Sequence, residues 1–192
     1  MKAGAVFLIL FILAIMAGIV VWAISRAQRL SRAQYAAMIL VAKSRGLRFV
    51  DDPDPMVRVR MDGQVDGVEV RVRALTIQMA RQSTPVLEVS ARGRHVPGPG
   101  VVIRRSGLAN TTLMVDGDAS ARETDLLKQP EVRRLLLSAT DPLWAGTSGE
   151  GAMDHTGVWL RKSGHQGDPD IIEEMLRRAV AAALAFDKAC DN

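Results

Sequence analysis

The sequence predicts an α+β protein: an N-terminal transmembrane helix, then an antiparallel sheet packed by a C-terminal helix. Three observations predict this fold class. The run Ala3 to Ile24 is uncharged, residues 57–74 alternate apolar and polar side chains, and residues 169–183 are apolar at helical spacing. The expected parts are a transmembrane anchor (residues 1–25), a juxtamembrane helix and linker (residues 26–55), and an α+β domain (residues 56–189).

The uncharged run is long enough to cross a bilayer. Its 22 residues would span about 33 Å as a helix, against a hydrocarbon core of about 30 Å. A signal peptide cleaved after Ala23 is the alternative, but its apolar region is normally only about 7–15 residues long. A buried core helix would carry some polar residues. We therefore expect the lipid bilayer to contact residues 3–24.

Charges beside this run predict its orientation. Arg26, Arg29 and Arg32 follow it, whereas only Lys2 and the α-amino group precede it. Because the more positive flank stays inside, a single pass through the cell membrane would leave the following domain in the cytoplasm. The single cysteine, Cys190, agrees weakly, since it has no partner for an intramolecular disulfide.

Overall charge gives little information about partners. The net charge is +4, and 21 acidic residues accompany the basic ones, so nucleic acid is not expected as a partner. Near a membrane, however, a slightly basic domain is attracted to anionic lipid headgroups.

The juxtamembrane segment predicts a second, separate helix. Ser31 and Gln34 form a capping-box pattern at its start, and Gly46 follows its last turn. This helix would either cover the sheet or lie at the membrane surface as an amphipathic helix. The prolines of Asp51-Asp52-Pro53-Asp54-Pro55 then predict a linker, whose aspartates are typical of a solvated turn.

Two Asp-Gly pairs compete for the first hairpin turn. A turn at Asp66-Gly67 leaves one face of the hairpin wholly apolar, whereas a turn at Asp62-Gly63 sets Met61 against Gln64. The first register is therefore predicted. It pairs Val65 with Val68, Met61 with Val72, and Val59 with Ala74. The alternation changes phase at Ala74-Leu75, which predicts a bulge or strand break.

The same register creates a cluster of arginines. It sets Arg60 opposite Arg73, and like charges across a strand pair cost up to about 1 kcal/mol unless an anion neutralises them. Arg58, Arg60 and Arg73 are therefore a candidate anion or lipid patch, which would bind anionic lipid or an acidic protein. The alternative is that these arginines only solvate the outer face of the sheet.

The rest of the chain predicts further strands and three helices. Ser120 with Glu123, Pro130, and Asp168 with Pro169 are the helix-start signals. Pairs Glu173 with Arg177 and Glu174 with Arg178 are expected along the last helix. Short strands are expected at residues 85–92, 101–103 and 113–115 and in a hairpin at residues 153–160, giving a sheet of about five to seven strands.

Residues able to perform catalysis are few. His95, His155 and His165 fall in predicted loops, and none belongs to a spaced metal-ligand set. No nucleophile motif is present, so we predict no catalytic residues, no cofactor and no metal. The alternative is an enzyme whose site forms in the loops around His95 and Asp154, and a pocket shared by His95, Asp154 or His155 would favour it.

The order of these motifs resembles a loosely defined group of uncharacterised bacterial single-pass membrane proteins. The matching residues are Ser44-Arg45-Gly46-Leu47, Asp66-Gly67-Val68-Glu69-Val70, Val115-Asp116-Gly117-Asp118, Pro130 to Leu136, and Leu176-Arg177-Arg178-Ala179. The resemblance covers most of the chain and implies an anchor followed by an α+β domain. It implies no activity and transfers no site residues.

These inferences together predict a noncatalytic protein. We expect a membrane-anchored interaction or scaffold domain at the cytoplasmic membrane face. The alternatives are the loop-built enzyme site and an exported domain whose anchor acts as a signal peptide.

Overall fold

The computed structural model describes residues 2–79, 82–105, 113–139 and 149–191. Four helices and eight strands lie in these ranges. The helices are α1 (Lys2–Arg45), α2 (Ala121–Lys128), α3 (Pro130–Ala139) and α4 (Pro169–Asp191). The strands are β1 (Arg48–Val50), β2 (Val57–Val65), β3 (Val68–Met79), β4 (Gln82–Arg92), β5 (Val102–Arg105), β6 (Leu113–Asp116), β7 (Gly149–Asp154) and β8 (Gly157–Ser163).

The strands form one sheet in the order β1-β2-β3-β4-β8-β7-β5-β6. Every neighbouring pair is antiparallel. One face of the sheet is covered by α4 and by the end of α1, which confirms the predicted α+β class. The described sheet has one strand more than expected, because β1 was not predicted.

Helix α1 is continuous from Lys2 to Arg45. The predicted break before a separate juxtamembrane helix is therefore wrong, and Ser31 lies inside the helix. Nothing between Ile24 and Arg45 opposes a helix, because this segment has no proline or glycine and is rich in alanine and arginine. A capping-box pattern only makes a helix start favourable and cannot by itself end the helix that precedes it.

Gly46 ends α1, as predicted. Its φ is +67°, and the amide of Leu47 donates to the carbonyl oxygen of Ala42 over 2.9 Å. This is the Schellman arrangement, which satisfies a free carbonyl of the last turn. The Leu47 side chain is buried there. The chain therefore reverses, and β1 runs back beside the helix that it has just left.

The first hairpin has the predicted register. Val65 pairs with Val68, Met61 with Val72, and Val59 with Ala74. Asp66 and Gly67 have φ values of +53° and +81°, as a two-residue type I′ turn requires. The register shifts between Val57 and Val59. The predicted bulge is therefore present, but its extra residue is Arg58 on β2.

The core lies between the sheet and the helices, and α2 and α3 contribute Leu126, Val132 and Leu136 to it. Helix α4 contributes a buried stripe that includes Met175, Ala179, Ala183 and Phe186. The last turns of α1 join the same core through Ala37, Met38, Val41 and Ala42. The helix that contains the uncharged run is therefore also a core element of the domain. The uncharged run and the domain are not joined by a flexible linker.

Helix α4 begins at its predicted cap. The Asp168 carboxylate accepts the Asp170 amide over 3.0 Å, and Pro169 is the first helical residue. Glu174 pairs with Arg178 as expected.

The predicted pair of Glu173 with Arg177 is wrong. Glu173 accepts hydrogen bonds from Ser44 at 2.7 Å and Arg45 at 2.6 Å at the end of α1, and Arg177 binds Glu174. A contact between two packed helices has replaced a local one.

Candidate functional site

Polar and charged side chains line the face of the sheet opposite α4. We call this surface the outer face. It surrounds a hollow of about 610 Å³ near the middle of the sheet. Four acidic and four basic residues line the hollow: Asp62, Glu69, Glu88 and Asp154, and Arg71, Arg73, Arg92 and Arg161. The hollow is polar and nearly balanced in formal charge.

A row of ion pairs crosses this face at the level of Glu88. Arg73 lies opposite Glu88, and Glu88 lies opposite Arg161. Nε of Arg73 donates to Glu88 Oε1 over 2.9 Å, and Nε of Arg161 donates to Oε2 over 2.7 Å. The Glu88 side chain is only 5% exposed. One buried carboxylate therefore binds two guanidinium groups, which keeps both in place.

The row continues beyond Arg161. Arg161 also pairs with Glu150 at 3.2 Å, and its guanidinium lies 4.6 Å from the centroid of the Trp159 ring. The indole of Trp159 in turn donates to Asp154 over 3.0 Å. Side chains on this face thus hold one another in fixed positions.

Arg60 has its own carboxylates. It donates to Asp62 through Nε over 2.9 Å and makes a closer contact through Nη2, and Asp52 lies 3.5 Å from Nη1. Burial alone would raise the pKa of Asp62, but hydrogen bonds from Arg60 and the charge of Arg71 hold this pKa below its usual range. The opposed pair of Arg60 and Arg73 is therefore neutralised from within the protein.

Arg58 is separated from the other two predicted patch residues. At the bulge it has no strand partner on β3, and it lines a second cavity on the opposite side of the sheet, beside α1. Sequence alternation had grouped Arg58, Arg60 and Arg73 on one face. The structure brings Arg60 and Arg73 together and does not bring Arg58 to them.

We call this second cavity the α1 cleft. It has a volume of about 300 Å³ and lies between α1, the ends of β2 and β3, and the loop after β8. Apolar side chains dominate it, including Met38, Val59 and Leu75, and Arg32 and Arg58 lie at it. Both arginines are exposed. In the described part of the chain, no carboxylate lines the cleft or pairs with either of them.

His165 also lines the cleft. Its Nδ1 lies 2.8 Å from Oε1 of the buried Gln34 on α1. Burial lowers the pKa of His165, and the nearby charge of Arg58 lowers it further.

The residues of the enzyme alternative do not converge. His95 Nε2 binds Asp191 on α4 at 3.0 Å, whereas Asp154 lies on the outer face with Trp159 and Thr156. His155 is in the β7–β8 turn and lines neither the hollow nor the α1 cleft. Of the three, only Asp154 lines the hollow, and none lines the α1 cleft.

Two functional features were missed from the sequence. Glu88 was assigned no role, although extending the hairpin register by one strand would have set it opposite Arg73. The α1 cleft could not be found without knowing that α1 continues into the core. Comparison of the chain with protein-family models, curated proteins and solved structures finds no match.

Proposed function

We propose that this protein is a noncatalytic interaction module, anchored by α1 in the cell membrane with its domain at the cytoplasmic face. The observation that carries the proposal is the continuity of α1. One helix contains the uncharged run and also supplies Met38 and Val41 to the core of the domain. A helix of this kind holds the domain at a set height and rotation relative to the bilayer.

The exposure of α1 supports its role as an anchor. Its side chains from Phe11 to Ile24 contact little else in the described structure, and Trp22 is 61% exposed. Such a long exposed apolar surface is unfavourable in water and favourable in lipid. Arg26 stacks over the Trp22 ring at 5.2 Å, and this pair suits a membrane interface.

The outer face is the proposed working surface for a protein partner. The other face of the sheet is already covered by α4, whereas the hollow offers fixed arginines, carboxylates and one indole. Because its charges are balanced, it favours a polar segment of mixed charge over the strongly acidic partner expected from the sequence.

Two experiments test this proposal. The first is orientation: a Cys190→Ser, Lys128→Cys variant carries one well-exposed thiol. An impermeant maleimide should label it in inverted membrane vesicles and not in intact spheroplasts. Labelling only from outside would instead favour the exported-domain alternative.

The second experiment is photo-crosslinking in native membranes. A crosslinking amino acid at Arg92, on the outer face, should give a discrete protein adduct. The same amino acid at Arg177, an exposed position on α4, is the matched control. Equal adducts from both positions, or none from Arg92, would contradict binding of a protein partner at the outer face.

A further inference from the structure

We propose that the α1 cleft binds the phosphate headgroup of an anionic phospholipid from the bilayer that holds α1. This inference deepens the proposed function, because it depends on α1 being the anchor. It moves lipid recognition from the outer face, where the sequence had suggested it, to the opposite side of the sheet.

The position of the cleft along α1 places it close to the lipid headgroups. Ser31 is the first cleft residue along α1 and lies seven residues after Ile24, which is about 10 Å along a helix. The headgroup layer extends about 5–8 Å beyond the hydrocarbon core. Helical side chains lean towards the N-terminus, and the Arg32 side chain is long enough to reach that layer from the cleft.

The direction of the sheet is the second argument. The chain reverses at Gly46, so β2 begins and β3 ends at the end of the domain that faces the bilayer. Thr76 and Pro85 line the cleft beside Ser31, and the amide of Thr76 donates to Met56 at the same end of the sheet. The opening between α1 and this end of the sheet is thus adjacent to the lipid surface.

Charge is the third argument. Arg32 and Arg58 are the cations of the cleft, and Arg26 and Arg29 continue the positive charge towards the membrane. The acidic linker after β1 is partly engaged elsewhere, since Asp52 pairs with Arg60. Paired guanidinium groups around a phosphate are a favourable geometry, and the cytoplasmic leaflet supplies anionic headgroups.

The apolar lining is the fourth argument. A site for free phosphate would need polar walls throughout, whereas Met38, Val59 and Leu75 line this one beside its polar groups. An amphipathic cleft suits a molecule with a phosphate and a hydrocarbon part. The α1 cleft therefore suits a phospholipid better than inorganic phosphate.

The test uses the purified full chain in detergent micelles. Native mass spectrometry would measure binding of phosphatidylglycerol, with phosphatidylcholine as the zwitterionic comparison. Arg32→Gln and Arg58→Gln should each weaken phosphatidylglycerol binding about fivefold, the size expected for one cation near a headgroup. Arg71→Gln removes the same charge from the outer face and should leave binding unchanged.

A variant that fills the α1 cleft distinguishes lipid binding at this site from general electrostatic attraction between the protein and anionic lipid. Thr76→Phe keeps every charge and inserts a ring at a partly exposed strand position, where an aromatic residue is well tolerated. It should weaken phosphatidylglycerol binding, with thermal unfolding measured to confirm the fold. Unchanged binding in Thr76→Phe, or in the double arginine variant, would overturn the proposal.

Two competitors identify other sources of the anion. Inorganic phosphate and a polyglutamate peptide should each fail to displace the lipid. Displacement by either would overturn the lipid assignment, and displacement by the peptide would assign the cleft to an acidic protein partner. These outcomes are independent of the proposed partner on the outer face, because purified protein is used and the outer face is changed only in the control.

Discussion

The outer face and the α1 cleft both carry arginines from β2, but their electrostatic environments differ. On the outer face, Arg60 and its neighbour Arg73 bind carboxylates of the same domain. At the α1 cleft, Arg58 has no ion-pair partner in the described structure and lies among apolar side chains. The outward position of an arginine on a strand therefore does not predict whether that arginine binds an anion. The number of carboxylates within reach decides whether a charge is available to a ligand.

Removing the shared carboxylate should produce the largest effect. Glu88→Gln would leave Arg73 and Arg161 facing each other around a buried amide, since the Glu88 side chain is only 5% exposed. Breaking a buried pair of this kind should lower the free energy of unfolding by about 2–3 kcal/mol, with the partial exposure of both arginines taken into account. The melting temperature of the full chain in nanodiscs should fall by roughly 5–10 °C.

Glu150→Gln is the matched control for this variant. Glu150 binds the same Arg161 but is 56% exposed, so its loss should change the free energy of unfolding by less than about 1 kcal/mol. Equal destabilisation by the two variants would show that Glu88 has no special role in the outer face.

A kink in α1 should weaken lipid binding at the α1 cleft without destabilising the domain that carries the outer face. Ala27 lies between the uncharged run and the first cleft residue, at an exposed position, and a proline introduced there would break or kink the helix. In Ala27→Pro, phosphatidylglycerol binding should fall about fivefold, whereas the melting temperature of the domain should stay nearly unchanged. Ala27→Ser is the control, and equal lipid binding by the proline variant would refute a role for α1 geometry.

Neutralising one arginine in each region should affect stability unequally. Arg73→Gln removes one of the two partners of a buried carboxylate and should cost about 1–2 kcal/mol. Arg58→Gln removes an unpaired, exposed charge and should stay within about 0.5 kcal/mol of the natural protein. Denaturant unfolding measures both, and a larger loss for Arg58→Gln would reverse the comparison.

The smallest effect is on the ionisation of His165. Arg58→Gln removes one of the two causes that lower the pKa of His165, so this pKa should rise towards its ordinary value, while Arg60→Gln should not change it. Since the folded pKa is depressed, the stability due to neutral His165 is present above about pH 6.5 and is lost as the pH falls through the folded pKa. NMR titration of the imidazole protons measures the shift.

Most of the fold could be predicted because side-chain alternation has a period of two. One register of the first hairpin kept Met61 and Val72 on the same face, and the structure has that register. Strand β1 could not be predicted, because its three residues are all exposed and give no alternation. The partner of Glu173 could not be predicted either, since Arg45 becomes its neighbour only after two helices have packed.

The candidate site was harder to predict than the fold. The phase change at Ala74-Leu75 showed that a bulge was needed, but a bulge can lie on either strand of a pair. Its position on β2 moved Arg58 out of the predicted patch. Alternation also predicts which residues share a face and not which side chains neutralise one another, so the second partner of Glu88, Arg161, emerged only when β4 and β8 were aligned.

The continuity of α1 has a geometric consequence for the segment between Ile24 and Ser31. Each residue of a helix adds a rotation of about 100° and a rise of about 1.5 Å. Deleting one residue from this segment would therefore turn the outer face by about 100° around the axis of α1, and deleting four would leave it about 40° from its original direction and about 6 Å closer to the uncharged run. In the proposed anchored protein, the length of this short segment sets the direction in which the outer face points.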